Sequence, residues 1–135
     1  MIVICGTNVK LVHWIKKIQR KTKKKIIYYD YASNVDELME VSTLIVSKPG
    51  GMTTSECLAK GLPMVVVDPI PGQEERNSQF LVNQGIAIRV DDKRHIASQI
   101  DELLNAPKKL AAMKQAALKN GKPMAAENIA RLILS

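Results

Sequence analysis

The chain has 135 residues and a mass of 15.0 kDa, enough for one domain with a buried core. Hydrophobic residues make up 46% and charged residues 24%, which excludes a disordered chain, and no apolar run approaches the roughly 20 residues that cross a bilayer. The net charge is +7 and it is local: residues 16–25, KKIQRKTKKK, hold seven of the 20 basic residues and no acid, leaving 13 basic residues against 13 acidic ones elsewhere.

In chain order, short β-prone runs alternate with helical stretches. Ile2–Cys5 is an apolar run closed by Gly6-Thr7-Asn8, and Leu11, Val12, Trp14, Ile15 and Ile18 then recur at helical spacing. Ile26–Tyr29 is a second strand, and Asn34 with Glu37 has the form of a capping box before Leu38 and Met39. Thr43–Val46 reads as a strand, Thr53 to Ala59 as a helix stopped by Gly61, and Met64–Val67 as a strand. Glu74 to Asn83 is helical with Phe80 and Leu81 inward, Ile86–Val90 is a strand, and His95–Leu104, 107–119 and 124–134 are helices. This alternation predicts an α/β domain, a Rossmann-like parallel sheet with helices on both faces. Its ligand crevice lies beyond the carboxyl ends of the strands, which points to loops 6–8, 30–34, 47–53 and 68–76.

Two of these loops are chemically dense. Ser47-Lys48-Pro49-Gly50-Gly51-Met52-Thr53-Thr54 joins a strand to a helix start through paired glycines, which let the backbone approach a ligand. The free amides and positive dipole end of the helix suit a phosphate or diphosphate; the alternative is a tight turn with Thr53 as N-cap. Glu56, three residues after Thr53, either closes a capping box or offers a carboxylate to a vicinal diol such as a ribose. In Asp68-Pro69-Ile70-Pro71-Gly72-Gln73-Glu74-Glu75-Arg76-Asn77, two prolines stiffen the loop, and Gln73, Glu74 and Asn77 bring sugar-recognising groups to the next helix start. There too the alternative is capping, with acids in the first turn. Tyr31 stands where an aromatic ring could stack on a base. His13 and His95 have no partners at metal or triad spacing, and Asp91-Asp92 reads as a turn plus a cap. Cys5 and Cys57 are too few for a disulfide framework or a four-ligand metal site and read as buried thiols.

The run SKPGGMTTSECLAKGLPMVVVDPIPGQEERN closely resembles the donor-binding half of GT-B glycosyltransferases, nearest to processive diacylglycerol glucosyltransferases and monogalactosyldiacylglycerol synthases. The lipid II-forming N-acetylglucosaminyltransferase is a more distant cousin. The resemblance covers essentially residues 1–135 and implies a nucleotide-sugar donor-binding domain. It implies diphosphate binding by Gly50, Gly51, Met52 and Thr53, ribose binding by Glu56, and uracil binding by Tyr31 and the Ala32 backbone. Gln73 and Glu74, with Asn77 nearby, match hexose-binding positions, and Gly6 and Asn8 match a loop facing the cleft. The acid at Glu74, where the lipid II enzyme has an amide, favours a glycolipid enzyme with UDP-glucose or UDP-galactose as donor.

The resemblance further implies an inverting transfer to a diacylglycerol-type acceptor, with no cofactor and no metal. It implies that the N-terminal domain with the base, the acceptor site and the main membrane-binding surface is absent here. So is the first strand of the donor domain, and no catalytic residue is expected in this piece. The last helix, around 124–134, is expected to cross back towards the absent domain. The whole enzyme is expected to be cytoplasmic and peripheral on the inner membrane face. Lys16, Lys17, Arg20, Lys21, Lys23, Lys24 and Lys25 offer a contact for an anionic membrane; the alternative is a solvated helix end and turn. Nucleic acid is not an expected partner, because the basic run lacks aromatic interleaving. The other reading is the donor-binding subunit of a UDP-N-acetylglucosamine transferase that works with a separate acceptor chain.

Overall fold

The computed structural model describes residues 1–134. In order these form β1 (Ile2–Ile4), α1 (Val9–Gln19), β2 (Ile27–Tyr29), α2 (Val35–Glu40), β3 (Ile45–Ser47), α3 (Gly51–Lys60) and β4 (Met64–Val67). There follow α4 (Gln73–Asn83), β5 (Ala87–Val90), a 3-10 turn at Lys93–His95, α5 (Ile96–Leu104), α6 (Pro107–Asn120) and α7 (Ala125–Leu134). The chain divides into two compact units, Met1–Leu38 and the remainder from Met39. Among the described residues no helix is long and apolar enough to cross a membrane.

In the first unit β1 and β2 pair in parallel, Ile2 opposite Ile27 and Ile4 opposite Tyr29. Cys5, Val12, Ile15 and Ile26 form its core, with Leu11 and Ile18 packed against them. In the second unit β3, β4 and β5 pair in parallel in sequence order, which places Ser47, Val66 and Arg89 in one row. Val65 and Val90 pack with Leu103 of α5 and Met113 of α6. Strand alternation turns Met64 and Val66 to the opposite face, where they are completely buried, like Cys57 of α3 and Leu81 of α4. Burial pushes the Cys57 thiol up to about 12, with the Glu56 charge adding to the effect. All the expected strands are present and every pairing is parallel, but they fall into two sheets, one in each unit.

Phe80, expected to point inward, does not, and Trp14 of the apolar stripe on α1 stays out as well. Trp14 is 59% exposed and Phe80 42% exposed. α1 buries Val12 and Ile15, and α4 buries Ser78 and Leu81. Each aromatic immediately precedes a buried residue, about 100° around the helix from it. α3 ends at Gly61 in the left-handed conformation, φ +64°, where a Cβ would stand 2.7 Å from Leu118 Cγ of α6. Only glycine meets both conditions there.

Candidate functional site

Because β3 and β4 are parallel neighbours, the loops that follow them leave from the same edge of the sheet. The first, Lys48-Pro49-Gly50, leads directly into α3, whose N-cap is Gly50 with no side chain capping it. Thr54 N makes the first bond of the helix, to Gly50 O at 2.8 Å, so the amides of Gly51, Met52 and Thr53 have no acceptor within the helix. The second loop turns through Asp68 at φ +52°, the only non-glycine residue described with positive φ, and Gly72 at φ +108°. It feeds α4, whose N-cap Gly72 likewise has no side-chain cap. Arg76 N bonds back to Gly72 O at 3.2 Å, which leaves the amides of Gln73, Glu74 and Glu75 free of helical acceptors.

The two helix starts stand against each other. A Cβ on Gly51 would meet Gln73 Nε2 at 3.4 Å. Asn77 Nδ2 donates to Pro49 O at 2.8 Å, which ties the second turn of α4 to the first loop. Two positive dipole ends and their unpaired amides therefore share one edge, a geometry that favours an anion with several oxygens.

The structure separates the open alternatives. Thr53 is the third residue of α3, not its cap, and Glu56 has no hydrogen bond or ion pair among the described residues; its carboxylate is exposed. The capping-box reading of Thr53 and Glu56 therefore fails, because the glycine pair starts the helix earlier. Glu74 does have a structural partner: its Oε2 accepts from Ile70 N at 2.8 Å and holds the loop in shape. Glu75 pairs with Arg89, which also holds Asp91. Asp68 accepts from Lys93 Nζ at 2.9 Å, and this bond, with the ammonium charge, holds the Asp68 carboxyl below its usual range. These ion pairs were not legible in the sequence because their members lie up to 25 residues apart. The Thr54 and Ser78 hydroxyls, buried on α3 and α4, have no hydrogen-bond partner among the described residues.

Gly50, Gly51, Met52, Thr53, Glu56, Gln73, Glu74 and Asn77 are thus gathered in the second unit. Gly6, Asn8, Tyr31 and Ala32 lie in the first, beyond the ends of β1 and β2. There Asn8 Oδ1 caps α1 by accepting from Leu11 N at 3.0 Å. Tyr31 is 83% exposed and Ala32 is buried. The first unit also has a cleft of about 500 Å³ lined by Gly6, Thr7, Val9, His13, Lys16 and Asp30. The expected capping box at Asn34 is reduced to one side-chain bond, Asn34 Nδ2 to Glu37 Oε2 at 3.0 Å. Asp92 caps the 3-10 turn by accepting from Arg94 N. Among the described residues no group of three His, Cys, Asp or Glu side chains is placed to hold a metal ion.

An α/β unit with two uncapped helix starts beyond adjacent parallel strands is a nucleotide-binding type of domain. Residues 1–129 match the glycosyltransferase family 28 C-terminal domain, and the chain belongs to that family. It is 32% identical over its whole length to a processive diacylglycerol beta-glucosyltransferase of Bacillus cereus (strain ATCC 10987 / NRS 248), and 31% identical to that of Bacillus anthracis (strain A0248). The chain spans 35% of the length of these curated relatives. Among solved structures it is similar to MurG of Acinetobacter baumannii, with a TM-score of 0.79 at 19% identity over 98% of this chain and 42% of that one. It is also similar to the glycosyltransferase VinC in complex with dTDP, with a TM-score of 0.66 at 15% identity over 98% of this chain and 40% of that one. Both likenesses bear out the GT-B fold expected from the sequence.

Proposed function

We propose that this chain is the donor-binding half of an inverting glycosyltransferase that transfers glucose or galactose from its UDP-sugar to a diacylglycerol-type lipid. The observation that carries the reading is the pair of uncapped helix starts at Gly51 and Gln73, with the unpartnered Glu56 carboxylate farther along α3. The diphosphate sits on the amides of Gly51, Met52 and Thr53. Glu56 accepts from the ribose hydroxyls, and Gln73 and Glu74 orient the hexose. Asn77 stands beside them. Kinship with the diacylglycerol glucosyltransferases supports a lipid acceptor.

The chemistry follows from this placement. The acceptor oxygen attacks the anomeric carbon in line, and the bond to the UDP oxygen breaks. Negative charge grows on the β-phosphate, where fixed amides and two helix dipoles stabilise it without metal or cofactor. The base that takes the acceptor proton belongs to a companion N-terminal domain. The exposed Ile129, Leu132 and Ile133 of α7 offer that domain an apolar contact. The cations of 16–25 face an anionic membrane, and the whole enzyme works as a peripheral protein on its cytoplasmic side.

Calorimetric titration with UDP, UDP-glucose, UDP-galactose and UDP-N-acetylglucosamine tests the reading. UDP should bind, and Glu56→Ala should weaken it by roughly 10- to 100-fold, the loss of about 1.5–3 kcal/mol in charge-assisted hydrogen bonds. The ranking of the sugars names the donor. UDP binding that Glu56→Ala leaves unchanged would remove the ribose assignment, and no binding by folded protein would remove the site.

A further inference from the structure

The first unit, residues 1–38, carries eight basic residues against three acidic ones. Seven of the eight lie in 16–25, and none of those seven joins an ion pair among the described residues. Lys16 has a side-chain contact, its ammonium 5.8 Å from the centre of the Tyr28 ring. The like charges repel one another with no ion pair among the described residues to compensate.

α1 adds a second observation. Its inner face is set by Val12 and Ile15, with Leu11 and Ile18 packed beside them. Helical spacing then lines up Lys10, Trp14 and Lys17 on the outer flank, since residues three and four apart are neighbours. Lys21 continues this line just beyond the helix. Trp14 is 59% exposed there. A large indole framed by lysines, on a helix face outside the core cluster of its unit, fits a water–membrane boundary. The ring has an apolar body and one polar N–H, and lysine stems lie along apolar surface while their ammonium groups reach outward.

We propose that the outer face of α1, Lys10, Trp14 and Lys17, together with the basic turn at 20–25, docks on an anionic lipid bilayer with Trp14 seated in the headgroup region. This deepens the membrane contact proposed above by naming the face and the anchor. Single-stranded nucleic acid fits less well, because such strands bind in basic grooves with successive stacking rings, whereas α1 offers one ring on a helix flank.

Trp14 is the only tryptophan in the chain, so its own fluorescence reports the contact. The 135-residue chain is mixed with vesicles of equimolar phosphatidylcholine and phosphatidylglycerol, then with phosphatidylcholine alone. With the anionic vesicles the emission should shift to the blue and acrylamide quenching should fall; with neutral vesicles neither should change. Replacing Lys10, Lys17 and Lys21 by Gln should lower the partition coefficient on the order of a hundredfold. Trp14→Ala, followed by co-sedimentation with an unchanged circular dichroism spectrum, should lower it several-fold. Co-sedimentation without a blue shift would overturn the Trp14 face and leave only the basic-segment contact. No co-sedimentation would overturn both, while UDP binding by the same sample judges the donor site separately. A single-stranded oligonucleotide that gives the same blue shift and strips the protein from vesicles would assign the face to nucleic acid and overturn the proposal.

Discussion

Asn77 offers the sharpest test of how the donor site is held together. Its side-chain amide donates to Pro49 O at 2.8 Å, and the Pro49 side chain is fully buried. Asn77→Ala removes the donor and leaves the carbonyl without its partner, which costs about 1–3 kcal/mol when water does not replace the bond. For a chain of this size that corresponds to a fall in melting temperature of roughly 4–10 °C. Asn77→Asp should do at least as much harm, because a carboxylate cannot donate and faces the carbonyl with like charge. If the bond aligns the two loops, both variants should weaken UDP and UDP-hexose by the same factor. Thermal unfolding followed by circular dichroism, with titration of both ligands, measures all of this. The reasoning is refuted if the melting temperature and UDP affinity stay put while only the UDP-hexose affinity falls. Asn77 would then be a direct sugar contact and its bond to Pro49 incidental.

Three further outcomes are expected. Gly72→Ala forces a side chain into φ +108°, ψ −115°, so stability should fall by about 1–3 kcal/mol in urea unfolding and the loop before α4 should become protease-sensitive. The Asp68 carboxyl is held low by the bond from Lys93, so its contribution is present above the ordinary carboxylate pKa and is lost as pH falls through the lowered value. An NMR titration should show Asp68 moving back up towards its usual range in Lys93→Gln; an unmoved midpoint would show that the pair does not form in solution. Cys57 is buried with its thiol pushed up to about 12, so at pH 8 it should resist a disulfide reagent until denaturant is added. Labelling of native protein at Cys57, read by peptide mass, would contradict the packing of α3.

The elements were legible because each strand is a short apolar run between turn residues. Met64–Val67 coincides with the observed β4, and the helix from Pro107 begins where a proline is tolerated. The division into two sheets was not legible, since pairing is a property of partners and not of one run. Phe80 was misplaced for a related reason. Periodicity marks an apolar stripe, but what packs against the helix decides where its edges lie. At the site, the glycine loops announced themselves through composition. The roles of Glu74 and Asn77 in holding those loops did not, because each depends on one backbone atom that only the fold brings near: Ile70 N and Pro49 O. Glu56 shows the reverse. Spacing offered two roles, and the early start of α3 at Gly51 removed one of them.

The two helix starts also bear on how the folded population responds to its surroundings. No side chain among the described residues caps them, so an anion bound there would supply what the polypeptide leaves undone. Any ligand that prefers the folded form raises its stability by mass action, about 2.7 kcal/mol at a hundred times the dissociation constant. On the proposed function, the domain would therefore resist heat and proteases best where the pool of its donor nucleotide is full. Its lifetime would become a readout of supply, rising when donor is plentiful and shortening when the pool runs down.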